Sequence, residues 1–319
     1  MTLMKKKIGH FDQVAFVRPI TYTDGRAKGL DALQFYNGVL DFTVLKNRCM
    51  DIGDMRYKGT NIAFFARSGL MAPQIFDLEW NLHEQSGLMG GFMFTCGLSN
   101  TGSRCEEGGL RYPCHGQIRA TAAEECRWGT EQNGKIRLYA QGKMSEAVLQ
   151  GIHLTLRREI ETNYLRPGFT IADTITNEGY KEEPVLLVYH TNFGWPLLDE
   201  DTRVVIPSEV ERRECMSAPQ DDAEEIVIAH NAIADEHGYV VCRVENDRLG
   251  IGASMTYLKD QLPCLGEWRS EVSGDYVTGI EPGICGVEGR AELLKSGKAR
   301  FLKPGESLHT RIDFCFYDL

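Results

Sequence analysis

Along the end of the chain, Ile312, Phe314 and Phe316 alternate with Arg311, Asp313 and Cys315. A period of two sends successive side chains to opposite faces of a strand, so this run predicts one face in a core and the other partly in water. The middle repeats the pattern. Leu154, Leu156, Arg158 and Ile160 alternate with Thr155, Arg157, Glu159 and Glu161 until Arg166-Pro167-Gly168 turns the chain. From Val185 to Tyr189 the apolar run is unbroken, as in a strand covered on both faces. Short extended segments separated by glycine, asparagine and proline turns predict hairpins rather than a βαβ array. Ahead of the final run, the spacing predicts strands over Ala291 to Leu294 and Ala299 to Leu302, with turns at Lys295-Ser296-Gly297-Lys298 and Lys303-Pro304-Gly305-Glu306. Helix is expected only in short connections, Asp77 to Gln85 and parts of Pro219 to Glu236.

A sheet-rich chain of 319 residues must cover both faces of its sheets. The expected fold is therefore all-β, a large antiparallel sandwich of two twisted sheets with a few short helices. No repeat or low-complexity linker divides the sequence, so one domain over residues 1–319 is expected, and a hydrophobic fraction of 42% can fill its core.

A net charge of -10 argues against nucleic acid or an anionic membrane as partner, because either needs a concentrated basic surface. No apolar segment of signal-peptide length follows the basic run Lys5-Lys6-Lys7, and no stretch reaches the roughly 18 apolar residues of a spanning helix. The cytosol is the expected compartment. Pairing with a second copy, as in a homodimer, stays open. The cysteines (Cys49, Cys96, Cys105, Cys114, Cys126, Cys215, Cys242, Cys264, Cys285 and Cys315) include no C-x-x-C pair. They signal neither a zinc site nor a disulfide framework, and a thiol in an apolar run such as Gly91 to Cys96 packs as a small hydrophobe.

Three segments place ionisable side chains beside turn glycines at the ends of apolar strands, where a rigid scaffold displays functional groups. The first is Cys114-His115-Gly116-Gln117-Ile118-Arg119. The second is Val185 to Pro196, in which a buried strand ends at His190 and a glycine and proline follow. The third is Tyr276 to Gly283, where Glu281 falls in an apolar strand directly before Pro282-Gly283. Each has a plain structural reading too: a histidine satisfying backbone groups, or a glutamate turned to solvent. Two histidines and one carboxylate nevertheless suffice for proton transfer at a hydroxyl and an ether oxygen without metal or organic cofactor.

The order of these segments resembles the aldose 1-epimerase, or galactose mutarotase-like, superfamily. Gly90-Gly91, Cys96 and Gly102 ahead of His115-Gly116 and Arg119 look like its glycine-rich lead-in to a first histidine. Ile171 to Asn177 followed by Val188-Tyr189-His190 looks like its strand, asparagine turn and second histidine, and Ile280-Glu281-Pro282-Gly283 is similar to its late glutamate motif. Arg48-Cys49-Met50-Asp51-Ile52-Gly53 and Thr95-Cys96-Gly97-Leu98-Ser99-Asn100 point to a branch distinct from hexose mutarotases proper. Related hexose-phosphate epimerases carry an arginine directly before the glycine pair, where this sequence has Met89. Arg48 or Arg56 would supply that cation, or the substrate lacks the group it holds.

The resemblance implies interconversion of sugar anomers by ring opening. Glu281 would take the proton of the anomeric hydroxyl, His190 would protonate the ring oxygen and His115 would polarise it. Arg48, Arg56, Asn100, Arg119, Asn192 and Trp268 would contact the sugar. That chemistry expects an ionised Glu281 and an acidic His190 near neutrality. The same residues also fit an isomerase, epimerase or lyase acting on a modified sugar, or a sugar-binding protein without turnover.

Overall fold

The structure, a computed structural model, describes residues 6–73 and 90–319. The helix expected from Asp77 to Gln85, and Met89, lie outside these residues. The alternating runs form two large antiparallel sheets and one small hairpin. In spatial order the first sheet consists of Phe16–Thr21, Asp31–Tyr36, Leu40–Leu45, Asp51–Tyr57, Met93–Leu98, Glu183–Phe193, Asp275–Gly283, Cys264–Val272 and Ile226–His230. Two short strands, Thr60–Asn61 and Arg300–Leu302, pair beside Asp51–Tyr57 and Glu183–Phe193. The second sheet runs Arg203–Val205, Tyr239–Asn246, Ile251–Leu258, Ser307–Asp318, Gly168–Asn177, His153–Asn163, Lys135–Ala147 and Glu124–Asn133.

The period-two runs decide which faces meet. Ile312, Phe314 and Phe316 turn inward and are essentially inaccessible, while Arg311 and Cys315 remain exposed. Side chains from both sheets fill the space between them. Phe92, directly before Met93–Leu98, meets Phe314 of the second sheet edge-on at 5.3 Å between ring centroids, and Phe42 stacks on Phe169 at 5.0 Å. Burying such apolar side chains contributes about 25 cal/mol for each Å² removed from water. Arg158 shares the inward face of its strand with Leu154, Leu156 and Ile160, and it too is buried.

Two local expectations are corrected. Residues Arg290–Lys295 form an α-helix, not a strand. Ala-Glu-Leu-Leu-Lys consists of strong helix formers, and Gly297 at φ +70 ends the helix as Lys298 N–H returns to the Leu293 carbonyl at 3.0 Å. Conversely, Pro219 to Glu236, parts of which are expected as helix, contains the strand Ile226–His230. Its Ile-Val-Ile run is β-branched and pairs along Cys264–Val272, with Val227 opposite Trp268. Among the described residues no helix is long and apolar enough to cross a membrane.

Candidate active site

His190 and Glu281 come from neighbouring strands far apart in sequence. The register that sets Thr191 against Ile280 and Asn192 against Gly279 carries His190 opposite Glu281, and their Nε2 and Oε1 atoms lie 3.1 Å apart. On the other side of the same strand His190 pairs with Phe94, whose ring stacks on the imidazole at 4.4 Å between centroids. Gly266 pairs with Glu281 beyond it. The pair is thus held on strands paired on both sides within the first sheet, with His190 and Glu281 only 2% and 4% exposed.

His115 arrives from a loop. It adopts φ +58, and its N–H donates to the Gly102 carbonyl at 2.7 Å while its own carbonyl accepts from Gly97 N–H at 3.1 Å. Gly116, at φ +75, presses so closely on the sheet that a Cβ there would lie 2.2 Å from the Gly97 carbonyl oxygen and 2.4 Å from that of Asn100. Only glycine fits such a site without moving backbone. Gly116→Ala is therefore expected to destabilise the fold by about 1–3 kcal/mol and to displace His115, measurable as a lower urea midpoint and weaker ligand binding.

Two residues expected to touch sugar instead build this loop. Asn100 donates to the carbonyls of Ser103 and Pro113 at 3.1 and 2.7 Å and accepts from Arg290 N–H at 2.7 Å. Arg119, buried behind the loop, donates to the carbonyls of Cys114 and Gly116 at 2.6 and 2.5 Å. Arg48 is likewise buried and donates to the Gly90 carbonyl at 3.4 Å, and burial pushes its guanidinium down to about 10. Arg56 points to the outside, 3.6 Å from Asp54. None of these four lines the cavity described next.

That cavity, about 340 Å³, is lined by Gly102, Ser103, Cys114, His115, His190, Glu225, Val227, Trp268, Glu281 and Val287. Its size suits a single sugar ring with some water rather than a chain. Trp268 forms one wall, edge-on to His190 at 5.6 Å, and its indole N–H donates to Glu225 at 2.8 Å. Asn192 is wholly buried beside His190. Neither of its amide atoms, nor His190 Nδ1, has a well-formed hydrogen bond among the described residues. Buried polar atoms are nearly always paired, so this cluster stands out.

Sequence reasoning missed Glu225 and Val227. They sit on and beside the edge strand that the composition of Pro219 to Glu236 disguised as helix, and only the pairing with Trp268 brings them to the cavity.

Burial sets the charges. It pushes Glu281 up to about 8 and His190 down to about 3, the latter slightly opposed by nearby Asn192. His115 is held well below the usual histidine range by burial, then by His190 and Arg119. The expected ionised Glu281 and acidic His190 are thus opposed in the free site by desolvation, which favours the uncharged form of each. His115 Nδ1 accepts from Gly102 N–H at 3.3 Å, which assigns the ring proton to Nε2.

Other polar clusters lack this character. Two larger hollows, about 500 and 520 Å³, are lined by residues of the second sheet and its turns. In the first of them Arg157 and Glu125 neutralise each other at 3.0 Å. His230 is buried between Ser208 and Glu267, at 3.0 and 3.1 Å, and Glu267 also takes Arg212 and Arg269 at 3.1 and 3.0 Å. Its partners are complete, and it lines none of the three cavities.

Comparisons with known proteins agree with this architecture. A family model described as a domain of unknown function, DUF4432, matches residues 27–315. No curated protein matches the sequence. A solved Klebsiella pneumoniae structure, of a candidate aldose 1-epimerase, superposes with a TM-score of 0.90 at 22% identity, covering 99% of this chain and 86% of that one. A galactose mutarotase-like protein from Clostridium acetobutylicum gives 0.67 at 13% identity, over 96% and 100% of the two chains. A galactose 1-epimerase from Lactobacillus acidophilus gives 0.54 at 12%, over 95% and 98%. At these identities the likeness is one of fold, which is the galactose mutarotase-like sandwich.

Proposed function

We propose that the protein, which belongs to the DUF4432 family, a family described without an activity, interconverts the anomers of a free aldose. The observation that carries this reading is the buried His190–Glu281 contact at 3.1 Å beside a sugar-sized cavity, an acid–base pair that burial drives toward its uncharged forms.

Anomerisation needs no net proton change, only an acid and a base acting on opposite ends of the hemiacetal. A pair with one proton meets that requirement. Moving the proton along the 3.1 Å contact turns the resting pair into Glu281 carboxylate and His190 imidazolium without exchange with solvent. Glu281 then takes the anomeric hydroxyl proton as His190 protonates the ring oxygen. The C1–O5 bond breaks, the open-chain carbonyl rotates about C1–C2, and ring closure reverses both transfers. His115, donating through Nε2, polarises the ring oxygen, and Trp268 offers a flat apolar wall to one face of the sugar. The fold similarity to aldose and galactose 1-epimerases supports this reading.

The test is NMR exchange between α and β anomers over a panel of hexoses, pentoses and deoxy sugars, with and without the protein. Acceleration of at least one is expected; no acceleration of any, with binding intact, would point to another sugar reaction or a non-catalytic role. The pH profile of kcat/KM adds a check. Glu281 keeps its proton up to about 8, so above that the pair has no acid and the rate should fall tenfold per pH unit. His190 gains a second proton only near 3, so the acid limb should lie there rather than near 6.5.

A further inference from the structure

The charge around the cavity is one-sided. Among the described residues that line it there is no lysine or arginine. Of the cations around the loop that carries His115, Arg119 faces the carbonyls of Cys114 and Gly116, and Arg290 faces the Ser99 carbonyl at 3.1 Å and Glu107 at 2.6 Å. With burial favouring the uncharged forms of His190, Glu281 and His115, the formal charge left among the described lining residues is the carboxylate of Glu225, exposed at the mouth.

Glu225 has two oxygens, and Oε2 accepts the Trp268 indole N–H at 2.8 Å. This bond fixes the plane of the indole, which borders both His190 at 5.6 Å and Phe64 at 6.4 Å. The second oxygen remains an acceptor with lone pairs to spare. A sugar hydroxyl can donate to it; a sulfonate or carboxylate cannot, and these, like a phosphate, would meet its negative charge at the mouth, a repulsion that added salt weakens.

We infer that the site takes an uncharged aldose and that Glu225 is the residue that determines this, accepting a hydroxyl of the sugar, orienting Trp268 and turning away anionic sugars. The inference rests on the anomerase reading above and fixes its substrate class.

The test compares matched sugars of one configuration: a neutral hexose, its uronic acid and its 6-phosphate, each followed by NMR anomer exchange with the full chain. The native protein should favour the neutral sugar over both anions by at least about tenfold in kcat/KM. Glu225→Gln should shrink that ratio several-fold, chiefly by lowering KM for the uronate, and Glu225→Lys should reverse it. A merely structural Glu225 would lower all three rates together and leave the ratio unchanged. Equal or better use of an anion by the native protein, or an unchanged ratio in both variants, overturns the inference. If no sugar is accelerated, the activity reading fails by itself, and saturation-transfer NMR of the same sugars decides this one. Binding of the neutral hexose with exclusion of the anions, relaxed in Glu225→Gln, sustains it; binding of the anions by the native protein sinks it.

Discussion

Glu281→Gln is expected to lower the rate of anomer exchange by about 10²–10⁴-fold while making the folded protein more stable at alkaline pH. The two effects share one cause. Burial raises the carboxyl of Glu281 from about 4.5 to about 8, so the folded state holds its proton more tightly than the unfolded chain does. The contribution to stability is complete below about 4.5 and is lost as pH rises through about 8. Above pH 8 the native protein carries a buried, ionised carboxylate costing on the order of a few kcal/mol. Glutamine keeps the shape and one hydrogen bond to His190 but never ionises, so the variant escapes that cost and loses the base. Chemical denaturation at pH 5 and pH 9 should show near-equal stabilities at the first and a clear advantage for the variant at the second. A variant that anomerises its best sugar at the native rate would remove Glu281 from the chemistry.

A larger loss of stability is expected for Arg158→Met, about 3–5 kcal/mol. The Arg158 side chain is fully buried between the two sheets, 2.9 Å from Asp51 and 2.7 Å from Asp173. It also donates to Thr95 Oγ1 at 2.9 Å and to the Cys49 carbonyl at 3.1 Å. Methionine would fill much of the volume but leave two carboxylates without their cation in a site where burial already pushes Asp51 upward. Tyr189, the residue before His190, donates its hydroxyl to Asp173 at 2.7 Å. The network therefore fastens the back of the strand that presents the candidate acid. Urea unfolding should show the loss, and adding Asp51→Asn and Asp173→Asn to Arg158→Met should recover part of it, because the stranded charges rather than the missing cation carry the cost. Full stability in the single variant would mean that the ion cluster contributes nothing net.

Much of the fold lay open in the sequence. Alternation at Leu154 to Glu161 and at Arg311 to Phe316, and the unbroken run Val185 to Tyr189, report burial of each strand's faces, and a period of two is a local property that needs no knowledge of neighbours. It even placed Arg158 on the inward face, without revealing why a cation belongs there. His115, His190 and Glu281 were legible for a related reason: ionisable groups beside turn glycines at the ends of apolar strands are conspicuous against their surroundings.

What remained hidden depends on contacts between distant segments. Only the register of Glu183–Phe193 against Asp275–Gly283 sets His190 beside Glu281, and a slip of one residue would have turned one of them to the opposite face. Only the packed loop commits Asn100 and Arg119 to backbone carbonyls, because an amide or guanidinium serves a carbonyl or a sugar equally well on paper. Glu225 reached the cavity through an edge strand whose flanking polar residues favoured helix until Trp268 paired with it. Sequence determined which residues could do chemistry, through burial patterns written in the chain itself; tertiary structure decided which of them share a cavity and in what charge state, because proximity and desolvation belong to the assembled sheets.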